Sequence, residues 1–198
     1  MSFRQKIKAA TQPYHDQTES LPTRSVGAFT LDDYRDFLLT GWLFHSRLEN
    51  SLAALLPESL KQALQWPDRQ KTARLEQDLR ELEVHYEALS PLPFTVNTLA
   101  EAGGAMYVAE GSTLGGMMMK KMWQDNPVIG PYSSFAFLGC YGSQTGARWK
   151  SFLSILEDTV SQPSDQEAAI ASAQRTFEFY QTCHQQVHTY RVESTPTL

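Results

Sequence analysis

Histidine is the residue type in this chain best suited to bind a metal or to move a proton near neutral pH. The chain has five histidines: His15, His45, His85, His184 and His188. A single histidine on a helix is more often an ordinary core or surface residue than a ligand. His15 differs because it follows Tyr14 in the first predicted helix and has Lys6 and Lys8 upstream.

The second unusual feature is the segment EAGGAMYVAEGSTLGG, residues 101–116. Each glycine inside a helix costs about 1 kcal/mol relative to alanine, so helix stability does not explain them. Residues four apart lie on one face of a helix. Two neighbouring rows of mostly small residues result: Gly103, Tyr107, Gly111 and Gly115, and beside them Gly104, Val108, Ser112 and Gly116. Such rows allow either another helix or a flat ligand to approach the backbone closely.

The composition predicts one globular domain that does not bind nucleic acid. The chain has 198 residues, 20% of them charged, and a net charge of -5, whereas a nucleic-acid-binding domain normally has a basic face. Two cysteines fit a reduced compartment without a disulfide framework. We find neither the apolar core of a signal peptide nor about 18 uninterrupted apolar residues. We therefore expect a soluble cytoplasmic protein with no membrane span.

Apolar residues recur at spacings of three and four, and the alternation typical of strands is nearly absent. The pattern predicts an all-α fold with helices near 3–21, 30–56, 68–89, 96–123, 143–161 and 164–191. Thr30, Thr98 and Ser164 are predicted to begin helices, the last two as capping boxes with Glu101 and Glu167. Residues 1–192 form a single predicted domain and 193–198 a frayed tail.

Two stretches resemble the heme oxygenase family, in particular its bacterial branch. QPYHDQTES, residues 12–20, is similar to the family's N-terminal helix with the proximal histidine, and YVAEGSTLGG, residues 107–116, is similar to its glycine-rich distal helix. The order and length of the remaining segments, including GARWKSFLSIL and TFEFYQTCH, extend the resemblance over nearly the whole chain. It implies a helical bundle that holds heme between the first helix and a kinked distal helix.

The resemblance implies oxidative cleavage of heme to biliverdin, carbon monoxide and ferrous iron. Heme b is then both cofactor and substrate, O2 is consumed, and an external reductant comes from a partner protein such as a ferredoxin, a flavoprotein or a reductase. The sequence does not identify the meso carbon that is attacked or the electron donor. It does not distinguish iron acquisition from the supply of a bilin chromophore.

The same resemblance implies roles for individual residues. His15 is the iron ligand, with its other ring nitrogen oriented by Glu19 or by a backbone carbonyl. On the opposite side of the heme, bare main chain contacts the porphyrin and nearby hydroxyls hold a water. The residues implied there are Gly111, Ser112, Gly115 and Gly116, with Thr113.

The heme propionates require local cations in a protein of net negative charge. Lys8 matches the position of the family's propionate lysine, and Lys121 and Arg175 are further candidates, with Lys120 beside them. Tyr107 lies on the glycine face and is predicted to contact heme or a propionate, and Phe177 is predicted to line the cavity. The neighbouring Met117, Met118 and Met119 are predicted core fillers, and Trp149 is predicted core.

Two departures from the family pattern affect these predictions. Some members have an aspartate where this chain has Ser112, so a carboxylate cannot anchor the distal water here. Pro13 lies between Lys8 and His15, and a proline at that point is expected to start or kink the helix.

Other interpretations of the residues stay open. His45 with Glu49, and His184 with His188, have the spacing of paired ligands on a helix, and Glu110 could add a carboxylate to make a non-heme metal enzyme. A heme-binding or tetrapyrrole-binding protein without turnover, or a bundle with a pocket for another small molecule, is the remaining alternative.

Overall fold

The computed structural model describes residues 1–21, 29–86 and 89–194, and within these ranges the regular structure is helical, with no strand. The predicted all-α fold is confirmed. The helices are α1 (Phe3–Glu19), α2 (Leu31–Leu55), α3 (Glu58–Leu64), α4 (Trp66–Arg69), α5 (Thr72–Glu81), α6 (Leu99–Gln124), α7 (Thr145–Thr159) and α8 (Pro163–Ser194). Two short 3-10 helices cover residues 130–132 and 142–144.

Helix α8 is the centre of the bundle. It packs against α1, α2 and α6, while α7 covers α6 and α5 covers α2. The core forms where their apolar stripes meet, with Ile7, Leu38, Leu48, Phe152 and Cys183 almost completely buried. Within the described ranges, the chain contains no helix long and apolar enough to cross a membrane.

The helix starts follow the predicted capping residues in two of three places. The Thr30 hydroxyl accepts a hydrogen bond from the Asp33 backbone and completes a capping box for α2. The Thr98 hydroxyl accepts one from the Glu101 backbone to cap α6. The prediction for Ser164 is wrong, because α8 begins at Pro163, whose fixed φ and missing N–H suit a first helical position.

Several predicted boundaries also differ. The helix predicted over 68–89 is divided into α4 and α5 and ends at Glu81, because the backbone turns through a left-handed residue at Glu83 (φ 54°). Pro13 lies inside α1, which begins ten residues earlier at Phe3, so it does not start the helix. Helix α8 includes the first two residues of the predicted tail, and 195–198 lie outside the described residues.

Helix α6 approaches its neighbours very closely in its first half. A Cβ added to Gly104 would lie 2.0 Å from the Ala169 carbonyl oxygen of α8, and one added to Gly103 would lie 2.5 Å from the Leu156 side chain of α7. A backbone oxygen inside a helix cannot move away, so only glycine fits at position 104. This half of the glycine segment therefore serves helix–helix packing.

A buried charge cluster joins the middle of α6 to the α4–α5 connection. The Glu110 carboxylate accepts hydrogen bonds from Arg69, from Lys71 (2.8 Å) and from the Tyr141 hydroxyl (2.9 Å). All four side chains are buried. Burial lowers the pKa of Lys71, but Glu110, Tyr141 and Cys140 together more than offset this, so the net shift is upward and Lys71 stays charged. The pairing compensates for the loss of hydration.

Next to this cluster lies a neutral buried histidine. His45 is almost fully buried, and its Nδ1 has no hydrogen-bond partner among the described residues, although the Glu49 carboxylate lies 3.9 Å away. Burial, and secondarily the Lys71 charge, hold the pKa of His45 well below its usual value. Glu49 accepts hydrogen bonds from the backbone N–H of Lys71 and from the Thr72 hydroxyl (2.7 Å).

Replacing Gly104 with alanine should destabilise the protein by roughly 1–3 kcal/mol, the usual cost of overpacking a core. The cause is the backbone oxygen of Ala169, which the new methyl group would overlap. Urea unfolding measures the change. Gly103→Ala is the matched control, since its methyl meets only a flexible leucine side chain and should cost less. Equal losses for the two variants would contradict the packing account.

Acidification from about pH 7.5 to about pH 5.5 should lower the free energy of unfolding, partly through His45. Its folded-state pKa lies well below 6.5, so over this range the unfolded chain takes up a proton that the folded chain does not. The free energy of unfolding therefore decreases as the pH falls below the pKa that His45 has in the unfolded chain, by at most about 1.4 kcal/mol per pH unit. Urea unfolding at both pH values should show a smaller pH dependence for His45→Gln than for wild type or the exposed-site control His85→Gln. An unchanged dependence would show that His45 is not the group responsible.

Candidate functional site

His15 lies in the last two turns of α1, and half of its side chain is exposed (50%). Its ring packs edge-on against Phe177 of α8, with ring centroids 6.2 Å apart. Phe177 itself is buried. The structure therefore brings the predicted iron ligand and the predicted aromatic contact together at one end of the α1–α8 interface.

Two carboxylates face one nitrogen of the His15 ring. Nδ1 lies 3.7 Å from Glu19 Oε2 and 3.8 Å from Asp16 Oδ1. These distances exceed a hydrogen bond but favour a proton on Nδ1, which leaves the lone pair of Nε2 available as a metal ligand. Of the described residues, only these three form a group whose potential metal-ligand atoms all lie within 4.8 Å of one another.

Helix α6 meets α1 one turn before His15. Tyr107 lies beside Thr11 of α1, and its ring packs against Trp149 of α7 at 5.4 Å. Burial raises the pKa of Tyr107, partly offset by the nearby Thr11 side chain, so its hydroxyl stays protonated at neutral pH. Tyr107 thus lies where three helices converge beside the candidate site.

Beyond Tyr107, Gly111 and Gly115 have no packing reason to be glycine. A Cβ on Gly111 would meet only the Trp149 ring, at an ordinary contact distance of 3.6 Å, and a Cβ on Gly115 would meet nothing within 4 Å. Alanine would fit at both positions. The protein alone therefore does not explain why the chain accepts about 1 kcal/mol of lost helix stability at each of them.

The other predicted distal residues have partners within the protein. Gly116 faces away from this open side, since its Cβ would lie 3.3 Å from Leu138. The Ser112 hydroxyl donates to the Ala109 carbonyl (2.9 Å), and the buried Thr113 hydroxyl donates to the Glu110 carbonyl (2.6 Å). Bonds of this kind often bend a helix, although α6 is continuous here. Ser112 is exposed, and its oxygen can still accept a hydrogen bond from a water.

The methionines that follow the glycines are not the core fillers that the sequence predicts. Met117 and Met118 are 43% and 69% exposed, and only Met119 packs against the core. The prediction is wrong because burial on this half of α6 is limited to the face that carries Gly116 and Trp123. Leu114, Met118 and Met122 continue the open face of Gly111 and Gly115, and an exposed apolar face of this kind indicates a ligand or partner surface.

The predicted propionate cations differ in their surroundings. Lys8 and Lys121 are exposed, and neither has a carboxylate partner among the described residues. Arg175 lies 3.5 Å from Glu101, which neutralises part of its charge. The two lysines are therefore freer than Arg175 to bind an anionic group.

The alternative non-heme metal site does not form from the predicted residues. The Glu110 carboxylate already binds two cations and a hydroxyl, and Glu49 binds the backbone and side chain of the α5 start. Neither carboxylate joins His45 in a ligand group. His184 and His188 likewise find no third ligand within the described part of the chain.

Sequence reasoning missed the position of Trp149 and the role of the buried cations. Trp149 is half-buried, and its ring contacts both Tyr107 and the Cβ position of Gly111, so it forms a wall of the site. Arg69 and Lys71 resemble surface charges in the sequence. Nothing in their spacing indicates that they meet Glu110, some 40 residues away.

Comparison with known proteins gives a consistent result. Residues 1–186 match the family model described as heme oxygenase. A heme oxygenase of Xanthomonas campestris pv. campestris (strain 8004) is 30% identical over 119 residues, which are 60% of this chain and 69% of that protein.

Solved structures share the fold. The NO- and CO-bound heme oxygenase from Neisseria meningitidis superposes with a TM-score of 0.72 at 22% identity, over 96% of this chain and 93% of that one. Heme oxygenase-1 from the cyanobacterium Synechocystis sp. PCC6803, in complex with heme, superposes with a TM-score of 0.65 at 14% identity, over 98% and 96% of the two chains. The chain therefore belongs to the heme oxygenase family, enzymes that use O2 and external electrons to cleave heme, which is both cofactor and substrate, to biliverdin, carbon monoxide and ferrous iron.

Proposed function

We propose that this heme oxygenase holds heme between His15 of α1 and the open face of α6 at Gly111 and Gly115. The observation that carries the proposal is that packing within the protein requires glycine at neither position: a Cβ at Gly115 would meet nothing within 4 Å, and one at Gly111 would meet only the Trp149 ring at an ordinary 3.6 Å. A flat ring that contacts the main chain would require the absence of a Cβ at both positions. The glycines at 103 and 104, in contrast, are fully accounted for by packing.

Heme, when bound, supplies the iron redox chemistry and the ring that is cleaved. His15 supplies a nitrogen ligand through Nε2, and the carboxylates of Glu19 and Asp16, 3.7 and 3.8 Å from Nδ1, favour a proton on that nitrogen. Phe177 supports the imidazole from the side of α8. None of these groups acts as a nucleophile, so the protein contributes ligation and orientation.

The distal side contributes shape and one hydrogen-bonding group. The bare main chain at Gly111 and Gly115 allows the porphyrin to lie close to α6, and the Ser112 oxygen is available to hold a water there. Trp149, Leu114 and Met118 supply apolar surface that excludes further water from the ring. Gly116 acts indirectly, by letting α6 pack against Leu138.

We assign the propionates to exposed cations of the chain. Lys8 and Lys121 are the better candidates because neither has a carboxylate partner among the described residues, and the Tyr107 hydroxyl can add a hydrogen bond. Arg175 is the weaker candidate because of Glu101. The electrons come from a separate donor protein, and the two free thiols, Cys140 and Cys183, are consistent with a reducing cytoplasmic compartment.

Replacing His15 with alanine should abolish the ligand field of a histidine-bound ferric heme and stop biliverdin formation, because the proposed iron ligand is removed. Hemin titration followed by reduction in air measures both, through the Soret band and the red absorption of biliverdin. Added imidazole should restore part of the signal. His85→Ala, at an exposed histidine, is the control. A His15→Ala spectrum like that of wild type would reassign the ligand.

Replacing Gly115 with alanine should separate stability from function. The methyl group meets no protein atom, so the heme-free protein should gain up to about 1 kcal/mol of stability. The same methyl should weaken hemin binding by about 1–3 kcal/mol, because it overlaps the ring. Urea unfolding and hemin titration measure the two effects.

Gly146→Ala is the matched control, since its methyl also meets nothing within 4 Å but it lies at the start of α7. It should leave hemin affinity unchanged. Wild-type hemin affinity and turnover in Gly115→Ala would remove the support for a ring at this face.

A further inference from the structure

Arg69 is a buried arginine whose guanidinium binds three different segments of the chain. Nη1 donates to the Glu110 carboxylate of α6, Nη2 donates to the Arg148 carbonyl of α7 (3.3 Å), and Nε donates to the Leu64 carbonyl of α3 (2.6 Å). The planar guanidinium fixes the relative directions of its donors. The positions of α6 and α7 are therefore tied to each other through one side chain.

The two acceptors stand next to the residues that form the candidate heme site. Gly111 follows Glu110, and Trp149 follows Arg148. The Trp149 ring lies 3.6 Å from the position that a Cβ of Gly111 would occupy. The bonds of Arg69 thus hold the parts of α6 and α7 that meet at this wall, and they do so from the buried side, away from the open face.

Further contacts fix Arg69 itself. Its guanidinium lies over the Phe152 ring at 5.9 Å, and the preceding residue, Asp68, pairs with the Arg148 side chain at 2.7 Å. Lys71 and Tyr141 complete the bonds of Glu110. Burial is the main cause that raises the pKa of Tyr141 to about 12; the Lys71 charge lowers this pKa and the Glu110 charge raises it. The Tyr141 hydroxyl therefore stays protonated and remains a donor to the carboxylate.

We propose that Arg69 is a positioning residue that sets the gap between Gly111 and Trp149, and thereby the seating of the substrate ring. The proposal rests on the proposed function, because it takes this gap to be part of the heme site. Arg69 touches neither substrate nor iron in this account. It acts through its hydrogen bonds to the Glu110 carboxylate and to the Arg148 carbonyl. We call these two hydrogen bonds the Arg69 bridge.

The hydrogen bonds of the bridge can be broken without removing the positive charge at position 69. In Arg69→Lys an ammonium group still faces Glu110, but its one nitrogen cannot stand in for both Nη1 and Nη2, which reach Glu110 and the Arg148 carbonyl from two separate positions. Glu110→Gln keeps the side-chain shape and removes the anionic end of the bridge. Leu52→Ala is the control for a general loss of stability, since Leu52 is buried in α2 and has no part in the bridge.

Two measurements distinguish positioning from simple destabilisation. The first is amide hydrogen exchange of the heme-free protein, followed by mass spectrometry over residues 107–118 and 145–153. In Arg69→Lys and Glu110→Gln we expect exchange in these two segments to become at least about tenfold faster than elsewhere, relative to Leu52→Ala. The second is the ratio of biliverdin isomers, which an unfolded fraction cannot alter because unfolded molecules make no product.

We expect both bridge variants to shift the isomer ratio in the same direction, and the double variant to resemble the single ones because the same bridge is already cut. Uniform acceleration of exchange, as in Leu52→Ala, together with a wild-type isomer ratio, would overturn the proposal. If wild-type protein fails to bind hemin, the proposed function fails instead, and the exchange pattern of the heme-free protein still decides whether the bridge exists.

Discussion

The contact between α6 and α8 is the constraint on which the rest of the structure depends. At Gly104 the two backbones are so close that a Cβ would overlap the Ala169 carbonyl, and this contact fixes the line along which α6 crosses the bundle. Two turns after Tyr107, at Gly115, one face of the same helix has no protein atom within 4 Å of the position of a Cβ. At both ends of the segment glycine is needed because it has no side chain. At the first end the bare backbone contacts a helix, and at the second end, in our account, it contacts a heme.

A helix with five glycines among 26 residues is a weak helix by propensity, and it is stabilised here from outside. Its first half is held by close packing on α8. Its middle is held by Glu110, which brings two buried cations and a tyrosine hydroxyl to the side opposite the open face. Such a cluster costs hydration, but it leaves the face at Gly115 free of any contact that a ligand would have to displace.

The sequence predicts the helical class, most helix positions and two capping residues because these depend on local patterns: apolar spacing and the short-range bonds of Thr30 and Thr98. It does not distinguish Gly103 from Gly111, because a spacing of four gives the face of a helix but not what lies opposite it. The exposure of Met118 is missed for a related reason, since an apolar residue is expected in a core and on a heme-binding face alike. The Arg69 and Lys71 cluster depends on contacts between segments that are distant in the chain, which no local pattern encodes.

The central claim is that the ring is held between an imidazole at position 15 and bare main chain at positions 111 and 115. A crystal structure of the protein with hemin tests it most directly. The account predicts iron bonded to Nε2 of His15, with Glu19 beside Nδ1, and a porphyrin face in van der Waals contact with the backbone of Gly111 and Gly115. Iron bonded to another residue, or a ring bound away from α6, would contradict it.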